Sequence, residues 1–346
     1  MLRIIIIFLS ILTKSSSVMA QEQPVTLYND SEAVSLLNTT ADESGLLLSK
    51  TLSSIIYSRT HNRTISRQTF MPTDIWVAEG TSVKRLNLGS KSINSAIGFL
   101  NGNESFVYAS VREEDAGYKT QLMIADWQEG NPVNIRIFKI KYFTNKSPYF
   151  SASISHDEKH IIMSMEANVT MGVEDLYVSH LQQNGEWSSP MSLGYGINTR
   201  GQEMTPFLAD DNKTLFFASN GREGLGSFDI FYAERLNDTW QIWSDPINLG
   251  SKINTSGAEK SFSFMDATPV AYYTSNTNSD GYGDIRSIRI NSELKYSKET
   301  LEKPQIFALK LRQKVILLLD SEDEKMVEGS FDIKTCLLYT SDAADE

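Results

Sequence analysis

With 346 residues, 40% of them hydrophobic and 22% charged, the chain can bury a sizeable core in one large domain plus an appendage. A net charge of −11 argues against nucleic acid as a partner, because phosphate binding needs clustered Lys and Arg. It disfavours an anionic membrane surface for the same reason.

Residues 1–20 read as a signal peptide. Arg3 supplies the positive start, Ile4 to Leu12 a short apolar run, and Val18-Met19-Ala20 a small-x-small cleavage site before Gln21. The run is shorter than the ~20 residues of a membrane-spanning helix, and no later stretch could span a bilayer. The expected product is soluble and exported.

Self-similarity then sets the fold. The phrases Asn87-Leu88-Gly89-Ser90, Ser192-Leu193-Gly194-Tyr195 and Asn248-Leu249-Gly250-Ser251 recur, two of them preceded by Trp187-Ser188-Ser189-Pro190 and Trp243-Ser244-Asp245-Pro246. An Asp followed by an apolar strand appears at Asp74, Asp175, Asp229 and Asp284, and the last three are 54 and 55 residues apart. Gln121-Leu122-Met123-Ile124 fills the gap after Asp74 without the Asp. This period is that of a propeller blade.

Within a period the strand signals keep one order. Phe150 to Ile154, a turn, and Ile161 to Met165 parallel Thr205 to Ala209, a turn, and Thr214 to Ser219. A Gly-rich loop, the Asp-led strand and a Pro-bearing edge strand complete the unit. Five units run from Leu46 to Asn94, Ile97 to Ile140, Pro148 to Asn198, Gln202 to Asn254 and Glu259 to Ile290. The fifth lacks its outer strand, and Val25 to Tyr28 is expected to supply it and hide the edge. The expected fold is an all-β propeller of four-stranded antiparallel sheets, five blades counted and six possible, over residues 21–290.

Residues 291–304 read as a linker, and 305–335 as the start of a β-sandwich domain, with strands at Val315 to Leu319 and Val327 to Ile333. The ending 336–346, which holds the sole cysteine Cys336, resembles translated sequencing-adapter read-through.

The quoted phrases resemble the TolB-like, WD40-like (PD40-type) propeller repeats of OmpA-family envelope proteins from Bacteroidetes-type bacteria. The resemblance covers about Gly45 to Ile290 and is most specific from Glu203-Met204-Thr205-Pro206-Phe207 to Asn254. It implies a periplasmic protein associated with the outer membrane, and in the full-length protein a β-sandwich and then a peptidoglycan-binding OmpA-like domain. The second unit departs from the pattern by lacking its Asp and its Leu-Gly phrase.

No catalytic, cofactor or metal site is expected from the sequence. The repeated Asp residues suit capping of backbone N–H groups better than a ring of ligands, because repetition in each blade marks architecture. His156 and His160 flank Asp157-Glu158-Lys159 in a turn, with the Glu displaced from metalloprotease spacing. There is no nucleophile elbow, and Gly221 to Gly226 precedes a strand and not a phosphate-binding helix. Glycosidase propellers use paired carboxylates in the funnel, yet no charged residue is read as interrupting an inner strand. Trp187 and Trp243 read as packing residues between blades. The resulting expectation is a non-enzymatic binding scaffold whose partners are envelope proteins or cell-wall components. The alternative is a secreted carbohydrate-active enzyme or lectin.

Overall fold

The computed structural model describes residues 27–49, 54–60, 71–88, 91–265, 270–279 and 282–290. The expected signal peptide, linker, sandwich and adapter-like ending lie outside these residues, as does Val25.

Strands gather into five blades in chain order. Blade I holds β2 (Glu43–Ser49), β3 (Ser54–Thr60), β4 (Thr73–Glu79) and β5 (Ser82–Arg85). Blade II holds β6 (Ile93–Leu100), β7 (Ser105–Glu114), β8 (Gly117–Gln128) and β9 (Asn131–Ile137). Blade III holds β10 (Ser151–Ile154), β11 (His160–Met165), β12 (Asp175–His180) and β13 (Met191–Ser192). Blade IV holds β14 (Glu203–Leu208), β15 (Thr214–Ser219), β16 (Asp229–Glu234) and β17 (Ile247–Asn248). Blade V holds β18 (Glu259–Phe264), β19 (Val270–Ser275) and β20 (Asp284–Ile290), and its fourth strand is β1 (Leu27–Ala33). The inner strands touch in a closed circle, β2 to β6 to β10 to β14 to β18 and back to β2. Five blades therefore complete the ring, and no place is left for a sixth.

Closure comes from the N-terminus as expected, but the strand sits further along than Val25 to Tyr28. Leu27 pairs with Ile290 and Ala33 with Arg286, across an irregularity between Tyr28 and Glu32. Val34 N then donates to Ile285 O (2.9 Å), and Asn38 takes Ile285 N and returns a bond to its carbonyl.

Middle strands such as β15, Thr-Leu-Phe-Phe-Ala-Ser, are buried along their whole length because neighbouring blades cover both faces. Between blades IV and V pack Phe216, Tyr232, Phe262 and Phe264. Between III and IV pack Leu176, Val178, Phe217 and Trp243. Trp187 fills the II–III seam with Leu122, Ile140 and Tyr177. The outer strands of blades III and IV follow Pro190 and Pro246 and are two residues long, so little edge is offered to a stranger.

The missing Asp of the second unit has a physical reason. β7 and β8 run as one ladder to the pair Glu114 and Gly117 and turn over Asp115-Ala116. Blade II has no Gly-rich loop there, hence no loop amides for an Asp to cap.

Candidate functional site

The inner strands surround a channel on the ring axis. Hydrogen bonds stitch them together, blade to blade. Gly45 N donates to Ser261 Oγ (3.1 Å), Ser261 N to Thr205 Oγ1 (3.0 Å), and Thr205 N to Ser151 Oγ (2.9 Å). Ser95 Oγ donates to Phe150 O (3.3 Å). Gly45, Thr205 and Ser261 reach these contacts from left-handed backbone, with φ of 60°, 46° and 57°. Each begins a bulge in its strand, which turns a hydroxyl or an N–H inward.

From this ring towards the ends of the inner strands runs a cavity of about 320 Å³. Its walls are mainly apolar, with Leu47, Phe99, Ile154, Phe207 and Phe264 among them, and its rim carries His156, Glu158 and Asp210. Glu158 is already occupied, taking the amides of Asn101 (2.7 Å) and Gly102 (3.0 Å). His156 Nδ1 stands 3.7 Å from Asp210.

Above the ring, where the inner strands begin, the structure corrects the sequence reading, for charged residues do stand on inner strands. Glu43, Glu203 and Glu259 begin β2, β14 and β18 and are fully buried. Each receives the hydroxyl of a Thr four residues earlier: Thr39 (2.7 Å), Thr199 (2.6 Å) and Thr255 (2.7 Å). Ser219 and Ser275 add a further donor to Glu203 and Glu259, and Arg59 Nε adds one to Glu43 at 2.9 Å. Burial pushes the Glu43 carboxyl up to about 7 and Glu203 in the same direction, against the pull of these donors. The signal was present in the sequence as the recurrence Thr39…Glu43, Thr199…Glu203 and Thr255…Glu259.

The same mouth contains Lys260, which follows Glu259. Its ammonium lies 4.1 Å from the centre of the Phe228 ring. Burial holds it below the usual lysine range, while Asp42 and Glu174 favour its charged form.

The repeated Asp residues sit on the third strands, in loops on this upper side. Asp175 accepts from Met171 N (2.7 Å) and Gly172 N (3.3 Å). Asp229 accepts from Leu225 N (2.7 Å), Gly226 N (2.9 Å) and Asn248 Nδ2 (2.7 Å). Asp74 instead meets Arg85 at 3.0 Å, and Asp284 opens β20 half-buried. The four occupy four different blades and are not brought together. His160 leaves His156 behind as well: its Nδ1 is 2.8 Å from His180 Nδ1 and its ring lies 4.6 Å from Trp240. Among the described residues no three His, Cys, Asp or Glu side chains are grouped to hold a metal, and no helix is long and apolar enough to cross a membrane.

No protein-family model matches the chain, and no curated protein does. Several solved structures are similar to it over about three quarters of its length. TolB from Acinetobacter baumannii is 9% identical at a TM-score of 0.45, over 74% of this chain and 58% of its own. An endo-arabinase from Bacteroides thetaiotaomicron is 14% identical at 0.47, over 76% and 97%. A β-fructofuranosidase from Schwanniomyces occidentalis is 11% identical at 0.46, over 76% and 57%. The chain spans less than two thirds of TolB's length. The sequence-based expectation of a chain without enzymatic activity does not stand, because carbohydrate-cleaving enzymes are found beside TolB at similar likeness. At these identities and TM-scores the likeness assigns no activity, and the propeller rests on the chain's own closed circle of inner strands.

Proposed function

We propose that the chain is an exported cell-envelope protein whose propeller presents its upper face as a rigid platform for a protein partner. One observation carries this reading: loops fastened at their bases hold large apolar side chains in water. Asp175 and Asp229 cap the loops of blades III and IV. A Cβ on Gly226 would run into the carbonyl oxygens of Gly257 and Thr255, so the blade IV loop lies directly on the segment entering blade V. From these loops Val169 stands 85% exposed and Leu225 53%, with Met171 and Val173 exposed beside them. Apolar groups kept in water by a fixed loop favour a partner that covers them. The repeat resemblance supports a periplasmic place at the outer membrane, with a peptidoglycan-binding OmpA-like domain in the full-length protein. Pull-down from a native envelope fraction tests it: wild type should capture a partner that the Val169→Asp, Leu225→Asp variant loses. Equal capture by both sinks the platform.

A carbohydrate-active propeller is the second reading, favoured by Asp42 and Glu174, two carboxylates that both act on Lys260 in one mouth. Turnover in a glycoside panel, abolished by Glu174→Gln, would establish it.

A further inference from the structure

Lys260 breaks the internal symmetry of the ring. It pairs with Thr274, and the residues holding the corresponding place opposite Ser58, Ala109, Ser164 and Ala218 are Ser44, Ser95, Ser151 and Met204. Four blades put a small or apolar group there, and blade V puts a cation. Features repeated in each blade build the ring, whereas a single departure in charge needs another reason.

Among the described residues the ammonium has no acceptor of its own. Nothing among them receives a hydrogen bond or ion pair from the Lys260 ammonium, which lies over the Phe228 ring. The nearby carboxylates are committed elsewhere. Asp42 Oδ1 takes Gly283 N at 2.7 Å, and Glu174 takes the Ser147 hydroxyl and Gln202 Nε2. Lys260, Phe228, Asp42 and Gln202 all remain partly open to solvent. An ammonium partly withdrawn from water with no protein acceptor among the described residues is costly to keep.

We propose that Lys260 anchors a single carboxylate of a bound peptide, seated over the Phe228 ring at the upper mouth of the channel. Asp42 and Glu174 select against polyanions, since together they outweigh the one positive charge. The Val173 and Leu225 side chains, on the loops that carry Glu174 and Phe228, favour apolar residues next to that carboxylate. This anchor rests on the platform reading of the upper face and names the chemistry at its centre.

The test uses Lys260→Met, which installs the residue that blade IV already holds at Met204. A fluorescently labelled peptide, Leu-Val-Leu-Ala with a free C-terminal carboxylate, is titrated against wild type and variant. Binding should saturate with wild type and weaken at least tenfold for Lys260→Met or for the C-terminal amide. The variant should melt at or above the wild-type temperature, because a poorly solvated charge is removed. No saturable binding, or equal binding of acid and amide, overturns the anchor. So does a clearly lower melting temperature, which would make Lys260 a structural member. Trigalacturonic acid binding in a Lys260-dependent way, with the peptide silent, moves the anchor to a sugar acid and overturns the peptide assignment. Partner capture that survives Lys260→Met but not the loop variant removes the anchor and leaves the platform standing.

Discussion

Thr255 gives both its backbone N–H (2.8 Å) and its hydroxyl (2.7 Å) to the two carboxylate oxygens of the fully buried Glu259. Thr199 and Glu203 repeat it at 2.9 and 2.6 Å. Each clasp ties the segment entering a blade to the first residue of its inner strand, at the rim of the channel.

Removing one acceptor strands its donors. Glu259→Ala takes the acceptor from Thr255 N–H and from the buried Ser275 hydroxyl, while the Thr255 hydroxyl keeps Thr277 as a partner, and a loss of about 2 kcal/mol is expected, since each unsatisfied buried group costs ~1–3 kcal/mol. Glu43→Ala should cost more, about 3–5 kcal/mol, because it also leaves Arg59 without its buried ion-pair partner. Urea denaturation of the two variants checks the order, and equal losses would contradict it.

The pair His160 and His180 makes stability depend on pH. Burial draws His160 down to about 4 and lowers His180, with Arg235 adding to both and Asp157 opposing at His160. Both rings titrate lower when folded than the ~6.5 of an unfolded histidine. Their contribution is full above about 6.5 and is lost as pH falls towards 4. The wild-type minus His160→Gln, His180→Gln melting curve should shrink over that window. The subtraction removes Glu43 and Glu203, whose raised values act in the opposite sense. A flat difference between pH 7 and 4 would refute the assignment.

The N-terminal strand should carry the ring. Deleting residues 27–33 unpairs β20 from Arg286 to Ile290 and exposes a sheet edge. A loss of several kcal/mol, on the order of a large fraction of a marginal fold, should appear in thermal melts together with aggregation. A harmless deletion would mean that β1 does not close the ring.

Asp229 should control the blade IV loop. Asp229→Ala removes three hydrogen bonds to Leu225 N, Gly226 N and Asn248 Nδ2. Trypsin should then cut after Arg222, whose guanidinium is otherwise held by the carbonyls of Gly196 and Ile197. Unchanged digestion would show that close backbone packing alone fixes the loop.

Period and strand order were legible in the chain because each blade repeats the same local chemistry. A buried strand needs a run such as Leu215-Phe216-Phe217, its hairpin a polar turn, and its Gly-rich loop an Asp to cap it. The N-terminal partner of blade V was legible for the same reason, through one strand missing and one left over. Charges at the mouth were not. Glu203, Glu259 and Lys260 look like ordinary surface residues in sequence, because their burial depends on blades brought together around an axis. Lys260 on β18 meets Phe228 of blade IV and feels the charge of Glu174, which precedes β12 of blade III. Local sequence thus determined the blades, since strands and turns form from neighbours in the chain. Only the closed ring decided which side chains share the channel mouth, since those contacts join residues from different blades.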